Sequence, residues 1–174
     1  MERHLQQLTA NHKNHFMQKI SPFIWFDNNG EEAMNFYLSI FEDSKPIRVA
    51  RNPPGGPGPQ GALLVATIQL EGQEITLMNG GPGHPQTDAF SLTINCSTQE
   101  EVDHYWNKLV EGGGQEIACG WLKDKFGVFW QVTPVMLPEL LADPDRVKAG
   151  RVMQAMMKMV KLDIGVLEAA AKAK

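Results

Sequence analysis

Candidate nucleophiles and acid–base residues are few in this sequence of 174 residues. Cys119 stands before Gly-Trp in a strand-like run, where a cysteine is more often a small apolar residue than a nucleophile. Lys123 and Asp124 could exchange protons, but the sequence Asp-Lys-Phe-Gly that starts at Asp124 is typical of a tight turn with Gly127 at a positive φ. We therefore favour a turn over a catalytic pair at this position.

Candidate metal ligands are sparse as well. His12 and His15 lie in the polar segment 1–16 without an obvious further ligand nearby. His84 is flanked by a glycine and a proline, which favours a solvated turn residue, and His104 lies between the apolar positions of a predicted helix. None of these histidines by itself indicates a metal centre.

The secondary-structure elements that must position such residues occur in a sequence pattern that is repeated once in the chain. Residues 31–41 and 100–110 both begin with Glu-Glu, carry an aromatic pair and place apolar residues at i, i+3, i+4, i+7 and i+8. This spacing predicts two amphipathic helices. Each helix follows a short apolar run, at 22–26 and at 90–94, and each precedes further strand-like runs. The repeat predicts a duplicated unit of one strand, one helix and three strands.

Apolar runs between turn signals predict the strands. We expect them at 20–27, 45–51, 62–70 and 73–78 in the first half, and at 90–95, 115–119, 121–123 and 128–133 in the second half. Each half therefore reads βαβββ, and the fold class is α+β. Thr98 and Glu101 form a capping-box pattern at the second helix.

The domain organisation follows from these boundaries. We expect a flexible leader at 1–17, paired modules at 18–80 and 88–135 joined by a Gly/Pro-rich linker at 79–87, and C-terminal helices at 136–174. In the tail, Asp143-Pro144 predicts a capped helix start. An apolar stripe at 152–160 is expected to face the core, although its methionines could also contact a partner.

Composition excludes several classes of protein. A net charge of −4 argues against nucleic acid as the main partner. No apolar run approaches the roughly 20 residues that span a bilayer, and the N-terminal residues lack the apolar stretch of a signal peptide. Cys96 and Cys119 are too few for a disulfide framework, so we expect a protein of the reducing cytoplasm.

Several short segments resemble a known family. They are 22–26, 31–37, 79–82, 98–106, the long run 119–131 with Trp121 and Gln131, and 151–155, and together they cover roughly residues 20–170. The paired βαβββ modules resemble the vicinal oxygen chelate superfamily, the fold of glyoxalases, bleomycin-resistance proteins and dioxygenases. Within it, the chain is similar to the PhnB-like family, whose domain is often labelled 3-demethylubiquinone-9 3-methyltransferase.

The resemblance implies a cup-shaped sheet in each half, with metal ligands on its first and last strands. Here the corresponding positions offer Pro22, Thr76 or Met78, residues 89–91 and Gln131. Only Gln131 is a plausible ligand, because Glu74 stands at the start of its strand, and a lone amide oxygen holds no metal. We therefore expect no metal and no other cofactor.

The methyltransferase label would require a site for S-adenosylmethionine. Such a site is usually a glycine-rich turn between a strand and a helix of a doubly wound sheet. The glycine-rich stretches at 55–61 and 80–83 are interrupted by proline, and neither leads into a helix pattern. The label has no support in these residues.

The expected site is a pocket for a small molecule. Its candidate ligand-binding residues are Phe23, Trp25, Asn79, Trp121 and Gln131. The alternative is that the rings simply fill the cup as core. Trp130 and Gln131 must point to opposite faces of their strand, so an inward Gln131 places Trp130 against a helix.

We therefore expect a metal-free protein that binds a small, partly apolar or aromatic molecule, and the resemblance implies a homodimer. The loop 52–61 could act as a flap over the cup or merely join two strands. The alternative function is enzymatic: a quinol methyltransferase, as the family label suggests, or a metal-dependent lyase or dioxygenase. A module that sequesters its ligand without turnover is a further alternative. The sequence does not name the ligand.

Overall fold

The computed structural model describes residues 18–173, so the predicted leader at 1–17 lies outside the described residues. The first half contains β1 (Phe23–Phe26), α1 (Gly30–Ile40), β2 (Ser44–Arg51), β3 (Leu63–Leu70) and β4 (Gln73–Asn79). The second half contains β5 (Leu92–Cys96), α2 (Gln99–Val110), β6 (Gln115–Glu116), β7 (Trp121–Lys123) and β8 (Phe129–Pro134). The tail contains α3 (Leu137–Leu141), α4 (Arg146–Met156) and α5 (Ile164–Lys172).

The two halves have the same topology. The first sheet has the strand order β1-β4-β3-β2 and the second has the order β5-β8-β7-β6. In each sheet the first strand pairs in parallel with the last strand, and the remaining pairs are antiparallel. The predicted βαβββ repeat and the α+β class are confirmed.

Each sheet buries one face under its own helix, and the two halves share one hydrophobic core. Ile24 and Leu77 lie on the buried face of the first sheet, and Trp130 and Val132 lie on that of the second, all at most 4% exposed. The Trp130 ring contacts the Tyr37 ring of α1 at a centroid distance of 5.4 Å. The core is therefore continuous across the two halves.

A buried carboxylate joins the halves inside this core. Asp124 is 2% exposed and accepts hydrogen bonds from the Tyr37 hydroxyl (2.7 Å) and the Trp130 indole N–H (2.8 Å). It also accepts the backbone N–H groups of Phe126 and Val128, which closes the predicted turn with Gly127 at φ 89°. The turn prediction is sound, but it missed that this carboxylate lies in the core.

Several local predictions were wrong in their details, and the predicted strand 20–27 is confined to Phe23–Phe26. The predicted strand 115–119 ends at Glu116, and the chain then turns back into β7 with Cys119 and Gly120 at left-handed φ values of 61° and 82°. The predicted strand 90–95 starts at Leu92 and runs to Cys96. In the tail, the side chain that caps α4 is Asp145, whose carboxylate accepts the N–H groups of residues 147 and 148, so Pro144 precedes the cap.

The predicted core-facing stripe of the tail is also only partly correct. Val152 is fully buried, but Met153 and Met157 are 40% and 66% exposed. Met159, which the helical pattern excluded from the stripe, packs against the tail's apolar cluster instead. Met153 of α4 and Met157, the residue that follows the helix, therefore remain exposed to solvent.

Candidate functional site: the open sheet faces and the cavity beside them

The face of the first sheet opposite its helix carries two of the predicted binding residues. Phe23 pairs with Thr76 and Trp25 pairs with Met78, so all four side chains project to the same side by strand alternation. Phe23 is 58% exposed, and the other three side chains are half-buried. We call these four residues the first open face.

The second sheet presents an equivalent surface. Trp121 and Gln131 are direct cross-strand neighbours, and Thr93 pairs with Gln131 from the other side. Together with Phe129 these residues form the second open face, and its two rings are half-buried. The Gln131 amide donates a 2.9 Å hydrogen bond to the Ser91 hydroxyl, which orients it across the face.

The alternation expected at Trp130 and Gln131 is what the strand shows. Trp130 is 2% exposed and its ring packs against Tyr37 and against Phe41, which caps the C-terminus of α1. Gln131 lies on the opposite side, on the second open face. Four predicted residues thus lie on the open faces, with Phe23 and Trp25 on one sheet and Trp121 and Gln131 on the other.

The fifth predicted residue, Asn79, has a different environment. Its Oδ1 accepts the N–H of Gly30 at 2.8 Å, so it caps α1 from the end of β4, while Asn29 makes no side-chain cap. Its Nδ2 donates to the carbonyl groups of Asn28 and Leu63. All of these bonds hold the fold, which leaves the amide little capacity for a ligand.

Trp25 is held in a similar way at its polar end. Its indole N–H donates to the carbonyl of Gly81 at 2.8 Å. A Cβ placed on Gly80 would lie 2.1 Å from the indole ring, so the ring packs directly on that glycine. Trp25 therefore offers a ligand the apolar surface of a fixed ring and no free donor.

A cavity of about 620 Å³ lies between the first open face and the loop 52–61. Trp25, Met78 and Asn79 line one side, and Pro57 and Pro59 of the loop line the other. This volume lies within the usual range for small-molecule sites, about 300–1,000 Å³. Phe23, Trp121 and Gln131 do not line this cavity.

The buried residue of the loop is Asn52, which sequence reasoning did not single out. It lines the cavity, is 6% exposed, and its Oδ1 is buried without a hydrogen-bond partner. Such unsatisfied buried groups are uncommon in folded proteins. No sequence signal indicated this burial, because an asparagine before two prolines is typical of an ordinary turn.

The other chemically capable side chains are dispersed. His84 is exposed and its ring lies 4.4 Å from that of Trp25, while a ring nitrogen of His104 lies 3.0 Å from the carbonyl of Ile40. Burial raises the pKa of Cys96 to about 12, with a smaller contribution from Glu101. His12 and His15 lie outside the described residues.

The donor set of the open faces does not fit a divalent metal centre. Glu74 is buried and lies on the same side of β4 as Thr76 and Met78. Gln131 lies on the other sheet. Within residues 18–173, no group of three or more His, Cys, Asp or Glu side chains is placed to hold a metal ion. A divalent ion needs several such ligands at one point.

The residues also do not fit the usual site for S-adenosylmethionine. The strand order of each sheet is not that of a doubly wound sheet. The glycine-rich segment Gly80–Gly83 is followed by residues 84–91, which contain no helix. Among the described helices, none is both long and apolar enough to cross a bilayer.

Two sheets of repeated βαβββ topology define a protein of the vicinal oxygen chelate fold. The family model described as 3-demethylubiquinone-9 3-methyltransferase matches residues 18–133. The chain therefore belongs to this family, the PhnB family, and it shares the fold of the vicinal oxygen chelate superfamily. The match ends before the tail helices, so it gives no support to the resemblance drawn at 151–155.

Solved structures agree with this assignment. The PhnB protein of Bacillus cereus, which carries a provisional 3-demethylubiquinone-9 3-methyltransferase label, is 38% identical, with a TM-score of 0.62 over 67% of this chain and 99% of its own. Protein PA1353 of Pseudomonas aeruginosa supports the fold alone: it is 21% identical, with a TM-score of 0.54 over 67% and 97% of the two chains.

More distant structures share the fold alone. The fosfomycin resistance protein FosX of Listeria monocytogenes, solved with Mn(II) and sulfate, is 14% identical, with a TM-score of 0.50 over 72% and 96% of the two chains. No match was found among the curated proteins.

Proposed function

We propose that this protein binds a small, partly apolar or aromatic molecule on its open sheet faces, without a metal ion. The observation that carries the proposal is the contrast between the two faces of each sheet. One face is buried under a helix, whereas the other carries rings and sparse polar groups. Phe23 is 58% exposed on the first open face, and Trp121 lies beside the Gln131 amide on the second.

This combination is typical of small-molecule sites. Rings supply contact area, and a few oriented amides supply direction and specificity. Gln131 is already oriented by Ser91, so it presents its Oε1 at a fixed place. Phe23 is exposed on the same face as the half-buried Trp25 and Met78, and this group of apolar side chains supports a contact surface, because folded chains seldom leave large apolar areas uncovered.

A homodimer is part of the proposal. A second copy of the chain would cover the open faces and turn each of them into an enclosed cup. The exposed position of Phe23 supports this arrangement. Sedimentation velocity of wild type and a Phe23→Glu variant tests it: we expect a dimer for wild type and a shift toward monomer for the variant.

The binding proposal is tested by affinity selection. Purified protein is incubated with a mixture of small metabolites and passed through a size-exclusion column, and the retained molecules are identified by mass spectrometry. We expect retention of an aromatic or apolar compound, and a loss of about tenfold or more in retention for Gln131→Leu. The exposed residue Asn107 of α2 provides the control Asn107→Ser.

The enzymatic alternative has its own test. The family description names a methyltransferase, so S-adenosylmethionine is the cosubstrate to examine. A saturable rise in melting temperature with S-adenosylmethionine would support methyl transfer. We expect no such rise, because the sheet topology and the glycine-rich segments lack the usual cosubstrate site.

A further inference from the structure

We propose that the cavity under the loop 52–61 holds a flat apolar molecule with one hydrogen-bond donor, and that the Asn52 Oδ1 accepts that donor. This inference rests on the proposed function and adds to it a position and a ligand class. Asn52 is 6% exposed, lines the cavity, and its Oδ1 is buried without a partner. An amide oxygen is an acceptor only, so its partner must be a donor.

The neighbouring polar groups do not compete for this role. The indole N–H of Trp25 is bonded to Gly81, and the Asn79 amide is bonded to α1 and to β3. What these two residues leave toward the cavity is mostly apolar surface, and Met78 and Leu63 extend it. A flat hydrocarbon body against the Trp25 ring therefore suits this wall.

The roof of the cavity is built in advance of binding. Asn52 closes the base of the loop through two backbone hydrogen bonds, from its N–H to the carbonyl of Ala62 and from Gly61 to its own carbonyl. The Arg51 guanidinium binds Glu31 of α1 and the carbonyl of Gly61. A loop fixed at its base binds with a smaller loss of conformational entropy than a flexible one.

Asn52 is itself enclosed by the loop that it closes. A Cβ on Gly58 would lie 2.9 Å from the Asn52 Nδ2, and one on Gly56 would lie 3.2 Å from its Oδ1. The two glycines thus let the loop wrap closely around the amide. The loop therefore serves as a fixed roof with a built-in acceptor, which is more than a tether between β2 and β3.

The test compares two probes of the same shape. 2-Naphthol carries a hydroxyl donor where 2-methylnaphthalene carries a methyl group. Binding of each is followed by NMR shifts of the Asn52 side-chain amide and the Trp25 indole N–H, with the Trp121 indole N–H as reporter for the second open face. We expect wild type to bind 2-naphthol about fivefold more tightly or better, with shifts at Asn52 and Trp25.

The matched variant is Asn52→Leu, which keeps the size of the side chain and removes the acceptor. We expect it to bind both probes equally and to keep or raise the melting temperature, because it removes an unsatisfied buried polar group. Asn52→Asp restores an acceptor, and we expect it to recover the preference for 2-naphthol. These variants leave the second open face unchanged.

Four outcomes would overturn the inference, of which the first three concern how the probes bind. These three are equal binding of the two probes to wild type, a preference that survives in Asn52→Leu, and shifts confined to Trp121. The last result would leave the proposed function standing and remove only the loop site. Binding of neither probe would also reject the donor-bearing aromatic class at Asn52, whereas affinity selection tests the proposed function independently.

Discussion

The hydroxyl of Tyr37 in α1 donates a 2.7 Å hydrogen bond to the carboxylate of Asp124 in the β7–β8 turn. The two residues come from different halves of the duplicated unit, and both are almost completely buried. Their contact joins the helix of the first module to the hairpin of the second. The relative position of the two open faces therefore depends on a polar contact in an otherwise apolar core.

Asp124→Asn is expected to destabilise the protein by about 2–3 kcal/mol. The substitution places an amide N–H₂ group opposite donors such as the Trp130 indole N–H, so at least one buried donor loses its acceptor. Tyr37→Phe removes one donor only, and we expect a loss of about 1–2 kcal/mol. Chemical denaturation measures both values.

Asp88→Asn is the control for this pair, because Asp88 lies exposed in the segment between the modules. We expect it to change the free energy of unfolding by less than about 0.5 kcal/mol. Equal stability of Asp124→Asn and Asp88→Asn would show that the buried carboxylate does not hold the halves together.

The pH dependence of this effect has a definite sign. Burial raises the pKa of Asp124, and hydrogen bonds from Trp130, Tyr37 and two backbone N–H groups oppose that rise. The folded protein therefore holds the Asp124 proton more tightly than the unfolded chain. Its contribution to stability is greatest below the ordinary aspartate value of 3.8 and is lost as the pH rises through the raised value.

We therefore expect the stability difference between wild type and Asp124→Asn to be larger near pH 4 than near pH 7. Denaturant titrations at both pH values measure it, and subtracting the variant removes the titration of the other carboxylates. A difference that grows toward neutral pH would mean that the native site prefers the ionised carboxylate.

Gly80→Ala should disturb the wall of the cavity. The new Cβ would lie 2.1 Å from the ring of Trp25, so the ring must move, and we expect a loss of about 1–3 kcal/mol. The NMR signal of the Trp25 indole N–H should shift, because its bond to Gly81 is broken or lengthened.

Gly150→Ala is the matched control. Gly150 lies in α4, and a Cβ there would meet no atom within 4 Å. We expect this variant to be more stable than wild type by up to about 1 kcal/mol, since alanine favours a helix over glycine. If both alanine variants behaved alike, the contact between Gly80 and Trp25 would be irrelevant to stability.

The two cysteines should differ sharply in reactivity. Cys96 is fully buried and its pKa is raised to about 12, whereas Cys119 is half-buried. A thiol reagent at neutral pH should therefore modify one thiol per native chain quickly, and the second only after unfolding. Equal rates for both thiols would contradict the placement of Cys96 in the core.

Much of the fold could be predicted because it depends on local periodicity. The helical spacing of 31–41 and 100–110 and the hairpin at Glu71-Gly72 are patterns of neighbouring residues, and the structure contains both. The duplication made each half a check on the other. Strand alternation predicted that Trp130 and Gln131 lie on opposite faces, and the inward Gln131 that the resemblance implied placed Trp130 against a helix, as the structure shows.

The parts that escaped prediction depend on contacts between distant residues. Asn79 caps a helix that begins 49 positions earlier, and Asp124 binds Tyr37 across 87 positions. Neither contact can be predicted from local sequence, because the two partners lie far apart along the chain. The Asn52 acceptor escaped for the same reason, because its burial arises only when the loop folds over the first sheet.

Native mass spectrometry of protein purified without a chelator tests most directly whether the open faces hold a small organic molecule without metal. We expect a dimer whose excess mass is that of an organic compound and which carries no stoichiometric transition metal. Gln131→Leu should reduce the retained mass, whereas Asn107→Ser should leave it unchanged. One transition-metal ion per chain that remains bound after buffer exchange would contradict the metal-free binding proposed for this protein.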